Sequence, residues 1–462
     1  MRRKKRPVRR LKNNVSLRST AEKRVERYRL GMNEGYEEGL KAGIESYDSY
    51  FEGTSIIIPS HNEVESVKAC IEGIMDHTDL PYEIIVIDNG SSDGIEHYLR
   101  QLDGQVRYRI LAKSAGFTGA ANKGLMMAKG TTILLLNNGM RPTENWLDNL
   151  LICLNSDAGI GMVGPVSIGL TGKQKMEFHY VDLEDMHELA RLNNASDSSK
   201  WHQTERLASR CLLFRRELLE KVGFLDEGCQ ESPFEAEDYG LRVRLQGYSL
   251  VYARDAYIHA ERNDEELAEY NARESEAFES KHYFMNKWSG LDEKFLDREG
   301  TDFERQAKLP EWEAGIRPKL GESVFYPQQM VVKGFGETIY WIEDSVRRPI
   351  HGLWEQPVKR VSQLDLCRWP IGEPIEVDVV ISRKGSLCCG DSNELQNGSI
   401  YISENGSSFY LENGKKRIIM SRLAADGWGL QTGHKEKLSE AELRMIPDGL
   451  PLIAPITLRQ AL

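Results

Sequence analysis

The sequence predicts an α/β protein, a mostly parallel sheet covered by helices and followed by a smaller β-rich module. Three observations carry that expectation. Apolar runs alternate with helical patterns between residues 54 and 167. Each of these runs leads into a short segment of small and polar residues. The last part of the chain, from about residue 323, repeats itself.

At 462 residues the chain exceeds the usual size of one core, and its 40% hydrophobic content is enough to bury more than one. The expected division is a basic tail and glycine-striped helix over 1–50, a sheet domain over 51–290, a linker over 291–322 and a two-repeat module over 323–462. The formal net charge of -11 argues against nucleic acid as a partner, because phosphate binding rests on clustered Lys and Arg.

Residues 1–12, "MRRKKRPVRRLK", run against that balance, with eight basic residues and no acid. The polar "NNVSLRSTAEKR" that follows is no apolar core of a secretory signal. Residues 2–12 therefore read either as a solvated tail or as a peripheral contact with anionic lipid at the inner face of a membrane. No apolar run approaches the 18 residues of a membrane span, so a soluble, cytoplasmic protein is expected. Seven scattered cysteines without a C-x-x-C, two of them adjacent at Cys388 and Cys389, fit a reducing compartment. Next, "GMNEGYEEGLKAG" places Gly31, Gly35, Gly39 and Gly43 near one helical face. Each glycine costs ~1 kcal/mol relative to alanine in a helix, so this segment needs a partner to be ordered. Self-association through residues 21–45 is one reading and a loosely structured leader the other.

In the sheet domain the predicted strands are "TSIIIP", "YEIIVID", "VRYRILA", "TTILLLN" and "IGMVGPV", with helices near 64–77, 92–102, 118–129 and 144–155. Such continuous apolar strands belong to a parallel sheet covered on both faces. Ligands then sit at the carboxyl ends of the strands, where this chain has "SHNE", "DNGSSDG", "KSAGFTGAANKG" and "NNG". Their glycines permit close backbone approach, and their Asn, Asp and Ser side chains offer hydrogen bonds to a base, a ribose or a phosphate. Residues 207–222 read as a strand and a helix, followed by an acidic loop, a helix and a further strand. The spacing of Leu267, Tyr270, Phe278, Met285 and Trp288 predicts one long helix over 264–288.

The last part contains two copies of one pattern. "IYWIEDSVRRPI" recurs as "FYLENGKKRII", and "VSQLDLCRWPIGEPI" recurs as "LSEAELRMIPDGLPL". Each copy predicts a hairpin, a basic strand edge, a short helix and a Pro-x-Gly exit.

Between about 54 and 262 the ordered set "SIIIPSHNE", "EIIVIDNGSSDG", "AGFTGAANKG", "LLLNNGM" and "AEDYGLRVRLQGYSLVYARDAYIHA" resembles the family 2 glycosyltransferases, which have the GT-A fold. The resemblance implies transfer of a sugar from a nucleotide-diphosphate donor to a hydroxyl of a glycan, lipid-linked or protein acceptor. It further implies inversion and a role in surface polysaccharide or glycoconjugate synthesis. It assigns Pro59, Ser60, Asn62, Glu63, Asp88 and Asn89 to the nucleotide, although Asp and Asn at such places also brace turns. Gly116 and Asn122 match the third loop, with Ser114 where that loop often begins in asparagine. Asp238, paired with Glu237, matches the general base, and a carboxylate at a helix N-terminus stays ionised as a base must. An ordinary acidic first turn is the plain alternative.

For the departing diphosphate the resemblance implies an aspartate that helps hold Mg²⁺ or Mn²⁺, but Asn137, Asn138 and Gly139 stand in its place. Three outcomes compete. Asn138 and His259, with the substrate phosphates, recruit a divalent cation; or Arg141 neutralises the diphosphate directly; or the domain binds a nucleotide sugar without turnover, as a silent scaffold. Residues 168–206 match no pattern. Their aromatic Phe178, Tyr180 and Trp201 leave an acceptor lid and a plain surface excursion as equal readings.

Overall fold

A computed structural model describes residues 49–102, 104–170, 172–176, 178–230, 233–260, 274–291, 321–386, 397–430 and 435–459. The basic tail, the glycine stripe, residues 292–320 of the expected linker, Leu267, Tyr270 and the Cys388–Cys389 pair lie outside them.

The sheet is built from β1 (Phe51–Ser60), β2 (Tyr82–Asp88), β3 (Val106–Ile110), β4 (Gly130–Leu136), β6 (Ile160–Val166), β7 (Trp201–Thr204), β8 (Cys211–Arg215) and β9 (Ser249–Tyr257). A separate two-stranded pair joins β5 (Met140–Arg141) to β10 (His259–Ala260). The order across the large sheet is β3-β2-β1-β4-β8-β6-β9-β7. The β1, β2 and β3 pairs are parallel, β8 runs antiparallel between β4 and β6, and β7 is antiparallel at the far edge beside β9. This is the mostly parallel α/β sheet that the GT-A expectation requires.

The unbroken apolar runs follow from cover on both faces. Ile57, Ile85, Ile87, Ile133 and Leu135 pack with Ala120, Ala121 and Leu125 of helix α3 (Gly116–Met127). The alternate residues Ile56, Ile58, Ile84, Val86, Leu134 and Leu136 pack with α1 (Val64–His77) and α4 (Trp146–Ser156). Strand order reverses between β1 and β4, so the loops after these two strands diverge and leave a crevice at the carboxyl edge. Helix α2 (Ile95–Gln101) completes the second unit. Among the described residues no helix is long and apolar enough to cross a membrane.

Beyond β8 come α6 (Arg216–Val222) and α7 (Phe234–Leu245), and after β10 the described part of α8 (Glu274–Lys287). Of the residues expected on that last helix, Phe278 is exposed while Trp288, just past its end, is fully buried.

The described residues of 321–459 form two small sheets, and the two copies of the pattern fold alike. In the first copy β11 (Ile339–Glu343) and β12 (Val346–His351) turn through Asp344 and Ser345, both at positive φ. In the second, β13 (Ser408–Glu412) and β14 (Lys415–Ile418) turn through Asn413 and Gly414, again both positive. Paired positive φ values are what a tight two-residue hairpin needs. Each copy then places a short helix behind a capping serine: Ser362 Oγ accepts from Asp365 N–H, and Ser439 Oγ from Glu442 N–H. The exits also match, since Arg347 N–H donates to Pro370 O and Lys416 N–H to Pro447 O.

This region is packed against the sheet domain. Phe234, Leu241 and Leu245 of α7, with Phe284 and Trp288, share one core with Phe325, Tyr326, Trp369, Met420 and Ile453. Arg242, fully buried, donates through Nε to Glu322 (2.9 Å) and through its other nitrogens to Val222 O and Phe224 O. The segment at 457–459 adds backbone bonds, from Thr457 N–H to Asp226 (2.9 Å) and from Arg459 N–H to Glu227 (2.8 Å).

Candidate active site

The carboxyl ends of β1, β2 and β4 gather most of the residues expected at the nucleotide. Ser60 lies in register with Asp88, and Pro59 stands buried one residue earlier, opposite Ile87. Asn138, after β4, donates through Nδ2 to Glu63 Oε2 (2.5 Å) and Ser60 Oγ (3.3 Å), so it spans the crevice between the diverging loops. Asn89 Oδ1 accepts from Ala115 N–H (2.7 Å), tying the second loop to the third just before Gly116. Gly116 opens α3 at φ +73, and a Cβ there would meet the Gln230 side chain at 3.2 Å, so both the turn and its neighbour call for glycine.

Several of the polar residues in these loops brace one another. Asn62, at φ 54, accepts through Oδ1 from Ser92 N–H (2.8 Å), while its own N–H donates to Ser91 Oγ (2.8 Å). Asp88 is buried and its carboxylate accepts from Ser91 N–H (3.1 Å). Asp93 serves both neighbouring helices, accepting from Val64 N–H (2.7 Å) and Ile95 N–H (3.3 Å). The alternative reading, that such residues hold turns, thus describes the bonds that Asn62 and Asp88 make in this structure.

Two expected site residues do not reach the crevice. Asn122 is fully buried on α3, where its amide donates to Leu225 O (3.0 Å) and Glu227 Oε1 (3.2 Å) and accepts from Leu225 N–H (2.9 Å). It fastens α3 to the 225–227 segment and, being fully buried, presents no group to the crevice. Asn122→Ala should cost roughly 1–3 kcal/mol of stability, the range for stranding buried partners, and leave nucleotide affinity unchanged. Chemical denaturation beside titration calorimetry separates these effects, and weakened nucleotide binding in a stably folded variant would return Asn122 to the site.

Asp238 is the second correction. It is 0% exposed, and its Oδ1 receives Trp288 Nε1–H (2.9 Å) and the Lys287 ammonium (2.6 Å), with Arg242 at 3.6 Å from Oδ2. Lys287 also pairs with Asp226 (2.6 Å). Burial opposes the charge on Lys287, yet Asp226 and Asp238 outweigh it and hold the ammonium pKa above the usual lysine value. A carboxylate so enclosed cannot touch an incoming alcohol. The signal lay in the helix period, because Phe234, Asp238, Leu241 and Leu245 recur at one face, and the apolar three pack into the core shared with the C-terminal region. Glu237, one residue back and about 100° round the helix, is only half-buried and lies in the first turn.

At the Asn137–Gly139 turn, Asn137 Oδ1 accepts from Gly139 N–H (3.0 Å) and turns the chain into β5. The β5–β10 pair sets His259 opposite Arg141. His259 is nearly buried, with Tyr257 Oη 3.4 Å from its Nδ1. The charge on Arg141 extends toward α5 (Leu183–Asn193), where burial, His77 and Arg141 together lower the pKa of His187. Among the described residues no group of three His, Cys, Asp or Glu side chains could hold a metal ion. Mg²⁺ and Mn²⁺ favour hard oxygen ligands, and one amide with one imidazole is a poor set for either. Asn138 and His259 alone are thus a weak set, which substrate phosphates would have to complete.

Comparison with known proteins agrees with this layout. Residues 55–223 match the model of "Glycosyl transferase family 2". The chain is 28% identical over 229 residues to a chondroitin synthase of Pasteurella multocida (strain Pm70), covering 42% of this chain and 23% of that protein. It is 30% identical over 115 residues to glycosyltransferase AglE of Haloferax volcanii, covering 24% of this chain and 38% of that one. The match thus spans well under two thirds of either relative. Among solved structures, the mannosyltransferase PcManGT of Pyrobaculum calidifontis, in complex with GDP-Man and Mn²⁺, aligns at TM-score 0.37 and 19% identity, over 48% of this chain and 61% of that one. Residues 55–223, which hold the strands and loops around the crevice, are thus the part of this chain that is similar to the family 2 glycosyl transferases.

Proposed function

We propose that the carboxyl edge of the sheet binds a nucleoside-diphosphate sugar and transfers the sugar, with inversion, to an acceptor hydroxyl. The observation that supports this best is the bracing of Asn138 against Ser60 and Glu63 across the crevice, with Asn89 tying in the third loop. That arrangement fixes polar side chains on both sides of the switch point of the sheet, where nucleotides bind in such folds. Asp88 forms its floor at the base end. A relative named chondroitin synthase supports a glycan chain as the acceptor, in surface polysaccharide or glycoconjugate synthesis.

In this account Glu237 takes the proton of the acceptor hydroxyl. The acceptor oxygen bonds to the anomeric carbon as the bond from that carbon to the phosphate oxygen breaks, and the nucleoside diphosphate departs with the electron pair. Arg141, two residues beyond Gly139, offsets the growing phosphate charge, as guanidinium geometry allows. Asp238 acts through position, by fixing the helix that carries Glu237.

Donor consumption should therefore run at the same rate in EDTA and in Mn²⁺. Gly139→Asp should make it respond to Mn²⁺, since a Cβ there meets only the Asn137 Oδ1, at 3.2 Å. An enzyme that stops in EDTA would overturn the assignment to Arg141. A second reading, a binding scaffold without turnover, is favoured by the glycine at 139 itself. Intact donor after prolonged incubation, despite measurable donor binding, would establish it.

A further inference from the structure

We infer that Tyr180 is the platform on which a pyranose ring of the acceptor packs, and so a specificity-determining residue of the site; the word acceptor rests on the function proposed above. Residues 172–182 carry no recognisable motif, but the described residues among them are anchored at both ends. Ser167 N–H donates to Gln174 O (3.0 Å) and Met176 N–H to Ser167 O (3.0 Å), which anchors the segment to the end of β6. The buried Gln174 amide adds bonds to Pro165 O (2.7 Å) and from Ala208 N–H (2.7 Å). On the other side Asp182 caps α5, accepting from Asp185 N–H (2.9 Å), and the Asp185 carboxylate accepts in turn from Val181 N–H (3.1 Å).

Between these two anchors stand two aromatic rings. Phe178 packs on Tyr257, with ring centroids 4.4 Å apart, and both Phe178 and Tyr180 rest, partly buried, against the core below. Tyr180 meets His259 edge to face, at 5.8 Å and an interplanar angle of 80°. His259 is nearly buried beneath it, while Tyr180 itself is half-exposed. His259 pairs with Arg141, which lies three residues past Asn138. An aromatic ring is therefore held at the phosphate end of the crevice, beyond β4 and away from Asp88 and Asn89. That end is where a donor's sugar must meet its acceptor.

The C–H face of a sugar ring is apolar and buries well against an aromatic face, while a phenol hydroxyl can bond a sugar hydroxyl. Nucleotide recognition needs no such surface, because β1, β2 and α3 supply it. The same packing would shield His259 and Arg141 from water during transfer.

The test uses the full chain with its Y180A and Y180F variants, saturated with UDP or GDP. Hexasaccharides of chondroitin, of hyaluronan and of neutral mannan serve as probes, followed by saturation-transfer NMR and calorimetry. At least one probe should bind the wild type and Y180F alike and lose about tenfold or more in affinity with Y180A, ~1.4 kcal/mol. Nucleotide affinity should stay constant across the three proteins. Equal glycan affinity in Y180A, no probe binding the wild type, or nucleotide affinity falling with glycan affinity would each overturn the proposal. If the wild type binds no nucleotide but Y180A alone loses glycan binding, the sugar platform stands and the transferase reading falls.

Discussion

Glu237→Gln is expected to lower the rate of sugar transfer about 10²- to 10⁴-fold, the usual contribution of a positioned general base, while donor affinity stays unchanged. The expectation follows from the difference between two adjacent carboxylates. Asp238 is enclosed by Lys287, Trp288 and Arg242, whereas Glu237 is half-buried at the first turn of the same helix. Asp238→Asn should behave differently. It removes one of the two charges that hold Lys287, so it should lower stability and activity together. Single-turnover kinetics beside chemical denaturation distinguishes the two variants. A Glu237→Gln protein with full kcat, or an Asp238→Asn protein as stable as the wild type but devoid of turnover, would reverse the assignment.

Lys287→Met is expected to destabilise the folded protein by about 3–5 kcal/mol, the cost of breaking a buried ion pair from one side. The ammonium sits 2.6 Å from both Asp226 and Asp238, all three side chains being buried, and its loss strands two carboxylates where water cannot reach. Burial works against the charge on Asp226, but Lys287, with the N–H groups of Gly228 and Thr457, outweighs it and holds the carboxyl below the usual aspartate range. A carboxyl with a depressed folded-state pKa contributes stability that is present above its unfolded pKa, about 3.9, and drains away as pH falls below it. In the wild type this contribution should be complete at pH 5 and above, which urea denaturation at stepped pH would show. A Lys287→Met midpoint equal to that of the wild type at neutral pH would mean that the network does not hold α7 and α8 together. The same network reaches Glu322 through Arg242. The repeat region is thus fastened to the helix that carries Glu237.

Much of the fold was legible because its strands are buried on both faces, which leaves unbroken apolar runs such as "SIIIP" and "EIIVID" bounded by polar turns. The repeat was legible for a related reason: both copies need two positive-φ residues in the hairpin and a serine cap, and these choices leave marks in the residues. Strand order was less visible. The insertion of Cys211–Arg215 between β4 and β6 pairs residues 79 positions apart (Leu134 with Leu213), and no local pattern encodes such a pairing. Residue type located the site but not the direction of each side chain. Asn122 and Asp238 lie in segments that border the crevice, yet both turn into the core, and adjacent helical residues such as 237 and 238 face surfaces about 100° apart. For Asp238 the apolar spacing at 234, 241 and 245 gave the answer, because a face defined by three core residues also claims the fourth. Nothing comparable marked Tyr180, whose place depends on tethers at Ser167 and Asp185 that only the folded chain brings near His259.

The claim that everything else depends on is that the carboxyl edge of this sheet accepts a nucleoside-diphosphate sugar. Titration calorimetry of the intact chain with UDP-, GDP- and dTDP-sugars in EDTA addresses it directly. The account predicts saturable binding of at least one donor, weakened by Asn138→Ala, which frees Glu63 and Ser60 from each other, and unaffected by Asn122→Ala in the folded protein. Absence of binding by every donor, in EDTA and in Mn²⁺ alike, would contradict it.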